Sequence, residues 1–202
     1  MNPILCHHIA TRKMLDTLLV CVLFPAMKTI RHILAVSILA TAPLVASDAA
    51  VKVNPPTAAP AAEGKDQDGK VVKFADLYKA NKYVLVYFYP KADTPGCTKQ
   101  GCSLRDGYEQ LTKQGVAVIG VSHDNAADQK AFKDKFHFPF TLIADTDSAV
   151  REAFGVPTYP ATSVNKRQAY LIKDGKIIYT DYKGTTDKQA ATILEVLAAQ
   201  KS

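Results

Sequence analysis

Two uninterrupted apolar runs constrain this chain more than anything else in it. "YVLVYFY" at 83–89 and "GVAVIGVS" at 115–122 lack the polar alternation of a half-wet strand. Strands built from them belong in the middle of a parallel sheet, covered on both faces. Residues 97–113 between them have helical spacing, with Leu104, Tyr108 and Leu111 on one face. The alternation continues with a charged amphipathic helix at 125–136, a third strand "FTLIAD" at 140–145 and a short helix at 148–154. "RQAYLIKDGKIIYTDY" at 167–182 reads as a strand pair joined at Asp174-Gly175, and 186–199 as a closing helix. Upstream, "KDQDGKVVKF" reads as a hairpin around Asp68-Gly69.

Strand-helix alternation ending in a hairpin and a helix predicts an α/β protein, a central mixed β-sheet with helices on both faces. That is the thioredoxin-like arrangement, although the pattern by itself also fits other α/β sandwiches. At 202 residues, 48% hydrophobic and 22% charged, the chain has the make-up of one globular domain with length to spare. The spare length is N-terminal. Met27 to His32 is basic, residues 33–46 are apolar, and the small residues "ASDAA" follow. That order is the pattern of a secretory signal peptide. The apolar run of about 14 residues falls short of the roughly 20 that span a bilayer, so a retained anchor is the lesser alternative and no stable membrane insertion is expected. Methionine occurs at 1, 14 and 27 and nowhere later, so residues 1–26 read as an upstream-start extension with Met27 as initiator. Residues 47–63 form an Ala/Pro-rich linker, or from Val51 an early edge segment, and the ordered domain is expected over 64–202.

Export changes the balance of charge and thiols. Loss of Arg12, Lys13, Lys28 and Arg31 against Asp16 lowers the net charge from +6 to +3. With no basic cluster interleaved with aromatics, nucleic acid is not an expected partner. Cys6 and Cys21 leave too, so the mature chain keeps Cys97 and Cys102. In an oxidising compartment such a pair is either a disulfide or cycles through one.

The pair lies in "YFYPKADTPGCTKQGC" (87–102), at the carboxyl end of the first central strand, where reactive groups collect in open α/β sheets. Cys97 opens the next helix. The dipole and the unpaired N–H groups of a helix start both favour thiolate. Pro90 and Pro95 stiffen the loop, Gly96 allows close backbone approach, and Thr94 offers a hydroxyl.

Pro90, Thr94 and Cys97 spell P-x-x-x-T-x-x-C, and this motif resembles the active site of peroxiredoxins. With the second cysteine five residues on, "FYPKADTPGCTKQGCSLRD" is similar to the Q subfamily, also called bacterioferritin comigratory protein. The resemblance covers about 64–200, including "GVS.D" at 120–124, "FTLIAD" and the arginine before "AYLI". It implies a thiol-dependent peroxidase acting on hydrogen peroxide and organic hydroperoxides. Cys97 would be the peroxidatic thiolate and Cys102 the resolving thiol of an intramolecular disulfide. Thr94 would hold the peroxide, Pro90 would shield the pocket, and Arg167 would stabilise the developing charge. Arg151 and Arg105 are the alternatives to Arg167. Gln100 stands where many members have Glu, a difference without expected chemical consequence. The implied reductant is a thioredoxin-like dithiol protein, and the implied state a monomer or weak dimer in the periplasm.

Plainer readings stand beside these. The cysteines could form a structural disulfide, Thr94 end a turn and Pro90 end a strand. Arg105-Asp106 reads as a helix-face ion pair, and Phe136, Phe138 and Phe140 as core. His123 and His137 lack metal-ligand spacing, so neither metal nor cofactor is expected. An exported oxidoreductase acting on protein thiols is the alternative enzyme, but C-x-x-C is missing. A non-enzymatic binding module held by a disulfide is the third class. Cleavage near Ala46 predicts an intact mass starting between Ser47 and Val51 in the extracytoplasmic fraction. A cytoplasmic product that keeps Met27 would refute export.

Overall fold

The computed structural model describes residues 50–200; the export signal, Cys6, Cys21 and the expected cleavage site fall outside them. The elements run β1 (Ala50–Ala58), β2 (Glu63–Asp66), β3 (Val71–Lys73), α1 (Phe74–Ala80), β4 (Tyr83–Phe88), α2 (Pro95–Asp106) and α3 (Tyr108–Lys113). Then follow β5 (Val116–Ser122), α4 (Ala126–Phe136), β6 (Thr141–Ala144), α5 (Ala149–Ala153), β7 (Gln168–Lys173), β8 (Lys176–Asp181) and α6 (Gln189–Ala199).

The apolar runs take the centre. The sheet order is β1-β8-β7-β4-β5-β6-β2-β3, and all six residues of β4 are buried. β4, β5 and β6 are parallel, whereas β7 pairs antiparallel with β4 on the other side. Period-2 alternation divides β4 between two cores. Val84, Val86 and Phe88 join a cluster with Phe74 of α1 and Val150 of α5. Tyr87 meets Phe140 at 6.0 Å, and Tyr89, just past the strand, meets Phe132 of α4 at 5.9 Å. This is the mixed sheet flanked by helices that the pattern predicts.

Both hairpins occur where turn chemistry puts them. Gly69 turns β2 into β3 at φ 78°, and Asp66 accepts from the N–H groups of Asp68 and Lys70. Asp174 and Gly175 both have positive φ (50° and 71°), as a two-residue type I′ hairpin requires.

One feature meets a stated alternative of the sequence reading, and two others differ from it. The Ala/Pro-rich stretch, given as a linker or an edge segment, carries edge strand β1, antiparallel to β8. Pro55 and Pro56 fall in its register break between Lys52 and Thr57, where the ladder does not need their missing N–H groups. Residues 74–80 form a short helix that periodicity over seven residues does not reveal. The helix expected over 97–113 starts at Pro95 and divides at Gly107. There α6 comes so close that a Cβ would lie 2.6 Å from the Ala190 Cβ. Leu104 and Leu111 remain fully buried on either side of the break, and Tyr108 is half-buried.

Phe138 and Phe140 are core, stacked at 5.2 Å, whereas Phe136 is half-buried. The Phe138 ring lies directly over Gly101 of α2, with Cε1 and Cε2 2.9 Å from where a Cβ would sit. Gly101→Ala gains about 1 kcal/mol of helix propensity but overpacks a closed aromatic contact at roughly 1–3 kcal/mol. A net loss of up to about 2 kcal/mol is expected, read as a lower urea midpoint at unchanged m-value; a stabilised variant would contradict this packing.

Candidate active site

The site is assembled at the carboxyl end of β4. Burial continues one residue past β4 to Tyr89, and half-buried Pro90 turns the chain into the 90–94 loop. Asp124, just beyond β5, ties this loop down: its Oδ2 accepts from Ala92 N at 2.8 Å and from Ser122 Oγ at 2.6 Å. Lys135 of α4 pairs with Asp93, whose φ is 56°, at 2.6 Å. Thr94 is the N-cap of α2, but its hydroxyl donates back to Lys91 O at 2.9 Å rather than capping the helix. Pro95 takes the first helical position, where a missing N–H costs nothing.

Cys97 therefore lies in the first turn of α2, two residues inside the start. It is a free thiol, 2% exposed. Arg167, immediately before β7, points its Nη2 at the Cys97 sulfur across 3.4 Å. Its Nη1 donates to Gln100 Oε1, and Gln100 Nε2 donates to Gln189 Oε1 at 2.8 Å. Guanidinium only donates, so Gln100 must present its oxygen to Arg167 and its NH₂ to Gln189. Gln189 Nε2 is then left without a partner among the described residues. Gly96 is where the backbone comes close, and its neighbour is the arginine: a Cβ there would lie 3.2 Å from Arg167 Nη2.

The arginine alternatives point elsewhere. Arg105 binds Asp106 at 2.7 Å and the Phe136 carbonyl at 2.9 Å, and Arg151 pairs with Glu152 at 2.9 Å. Cys102 is on the same unbroken α2, 6% exposed, and is not bonded to Cys97, which is free. His123 Nδ1 lies 3.0 Å from Asp145 O, and His137 is the left-handed C-cap of α4.

Tyr87 and Tyr89 stack at 5.5 Å below the site. Burial above all pushes both hydroxyls well above the ordinary phenol range, outweighing Arg167 near Tyr87 and the hydrogen bonds to Tyr89, which act the other way. Tyr89 donates to Gln129, whereas the Tyr87 hydroxyl has no hydrogen-bond partner among the described residues.

Gln100 and Asp124 were missed as working parts of the site. Fully buried Gln100 is not the inconsequential position expected, since it holds the arginine directly. An amide one helical turn beyond a cysteine, on the same face, was the available signal. Asp124, already quoted within "GVS.D", had its signal in a carboxylate just past a buried strand.

A buried free thiol in the first turn of the helix after a central parallel strand, faced by a cation beside the antiparallel hairpin, is the arrangement of a thioredoxin-like thiol protein. The chain belongs to the AhpC/TSA family, whose model matches residues 55–180. It is 44% identical over 129 residues to the chloroplastic peroxiredoxin Q of Oryza sativa subsp. japonica, covering 63% of this chain and 58% of that one. The match thus spans somewhat over half of that relative's length. The chloroplastic peroxiredoxin Q of Sedum lineare is 37% identical, covering 70% of this chain and 75% of that protein. Among solved structures, peroxidoxin BcpB of Mycobacterium tuberculosis superposes with a TM-score of 0.65 at 29% identity, over 73% of this chain and 99% of that one. Peroxiredoxin Q of Xanthomonas campestris gives 0.62 at 25% identity, over 69% and 91%.

Proposed function

We propose that this protein is a thiol peroxidase that reduces hydrogen peroxide and organic hydroperoxides through Cys97. The observation that carries this reading is the Arg167 guanidinium 3.4 Å from a buried, free thiol at a helix start. A cation and oriented N–H dipoles favour the thiolate, which is the nucleophile. Attack on the distal peroxide oxygen forms an S–O bond and breaks the O–O bond. Cys97 becomes a sulfenic acid, and the other oxygen leaves as water or an alcohol after taking a proton. Arg167 and the first-turn N–H groups stabilise the charge that develops on the oxygens. Thr94, its hydrogen engaged by Lys91 O, can accept from the peroxide O–H. Pro90 shields the pocket from water.

In this reading Cys102 is the resolving thiol. It attacks the sulfenic sulfur, water leaves, and a disulfide remains; a thioredoxin-like dithiol protein then returns two electrons. The family match and the peroxiredoxin Q relatives support the peroxide substrate and this type of reductant. We assign residues 1–46 as an export presequence and the remainder as a periplasmic domain that works as a monomer. Relatives named as chloroplastic support a targeting segment in general, and periplasmic delivery is the finer reading. No helix among the described residues is long and apolar enough to cross a membrane.

Resolution requires motion. Five residues along α2 separate the Cα atoms of Cys97 and Cys102 by roughly 8–9 Å and about 140° around the axis, beyond the ~7 Å a disulfide bridges. The first turns of α2 must therefore unwind, and they can, because their leading N–H groups have no intrahelical partners.

Two measurements test the assignment. Cys97→Ser should abolish peroxide consumption in stopped flow, while Cys102→Ser should still complete one round. A full equivalent consumed by Cys97→Ser would reverse the roles. Second, stoichiometric disulfide formation, verified by peptide mapping, should speed amide exchange across about residues 95–106 while the sheet stays protected. Unchanged exchange there would sink the unwinding step.

A further inference from the structure

We infer that Asp181 and Gly184 form a clamp that aims Arg167 at the Cys97 sulfur, an inference that rests on the peroxidase reading above. Arginine has a long, flexible stem, and its guanidinium is useful at the thiol only if the stem is held. One side of it is held by the turn that follows β8.

Asp181 ends β8 and is 1% exposed. Its carboxylate gathers three consecutive backbone donors: Oδ1 accepts from Gly184 N at 2.8 Å and Lys183 N at 3.2 Å, and Oδ2 from Thr185 N at 3.0 Å. An acceptor-only group suits a nest of three N–H groups; an amide would turn an NH₂ toward one of them. The turn so folded brings Gly184 to φ 58°, with its α-carbon against the arginine. A Cβ at Gly184 would collide with Arg167 Cγ and Cδ, and lie 3.2 Å from its Cβ. At the far end of the side chain, Nη2 rests against Gly96 of α2, which Thr186 also approaches. The stem is thus held by the turn at its base and by α2 at its tip, and two glycines make the room. Asp181 and Gly184 touch neither sulfur nor peroxide; they are positioning residues that act through Arg167.

The experiment uses the full chain with Gly184→Ala, Gly184→Asn, Asp181→Asn and Arg167→Ala, alone and with each clamp variant combined with Arg167→Ala. Asparagine tolerates left-handed φ, so a loss shared by the Ala and Asn variants reports the collision rather than backbone strain. The first readout is iodoacetamide alkylation of Cys97 against pH, followed by peptide mass. The second is the second-order rate constant with hydrogen peroxide. Each clamp variant should change the alkylation profile toward that of Arg167→Ala and slow peroxide reduction roughly tenfold. In the Arg167→Ala background the same changes should have almost no further effect, because the group they aim is gone. Equal losses with and without Arg167, or an alkylation profile that no clamp variant moves, would overturn the clamp. The alkylation readout decides the clamp even if the protein consumes no peroxide, so failure of the peroxidase reading is distinguishable from failure of this one.

Discussion

A guanidinium held against a buried sulfur is the contact on which the rest of the site depends. Taking a charge even partly out of water costs several kcal/mol unless its donors are met. Half-buried Arg167 meets that demand with the Gln100 carbonyl and the Cys97 sulfur. Hydrogen bonds to a charged group contribute about 1.5–3 kcal/mol each, enough to offset a partial desolvation. Because Gln100 is neutral, the guanidinium charge stays directed at the sulfur. Its amide then passes the geometry on to Gln189 at the start of α6, so one contact links β7, α2 and the last helix.

The sheet makes that contact possible. β4 is buried on both faces, and its carboxyl end leads through buried Tyr89 into the loop that carries Cys97. The chain leaves through Pro90, is anchored by Asp124 and re-enters as α2, which sets the height of Cys97 above the sheet. β7 pairs with β4 from the other side, with Gln168 opposite Phe88, so Arg167 emerges at the level of the loop. Exposed ion pairs such as Lys113–Glu109 add little to this arrangement. The two apolar cores and the glycine approaches at Gly101, Gly107 and Gly120 hold it.

Read as a chemical machine, α2 has conflicting duties. Its first turn holds Cys97 at the helix start, and the resolution by Cys102 proposed above would require that turn to open. The middle of the helix is fastened to the Phe138 ring at Gly101 and to α6 through Ser103, whose hydroxyl accepts from Ala190 N at 3.2 Å. The leading turn carries no side-chain cap, because Thr94 spends its hydroxyl on Lys91. Stability is thus concentrated beyond the reactive turn.

The signals legible in the order of residues are local or periodic. Runs without polar alternation demanded two-sided burial, Asp-Gly pairs demanded tight turns, and Pro90, Thr94 and Cys97 at close spacing spelled a motif that resembles a peroxiredoxin loop. Each signal is complete within about a dozen residues, so no distant partner is needed to read it. Short α1 and the proline-bearing β1 were less legible, because too few residues repeat in one and neighbours override propensity in the other. Choosing Arg167 over Arg105 and Arg151 needed the tertiary structure. Only the β4–β7 pairing sets which arginine reaches Cys97 across 70 positions of chain. Gln100, Asp124 and the Asp181–Gly184 turn belong to the same class. Their roles are set by what lies against them in space, and composition and periodicity carry no record of that.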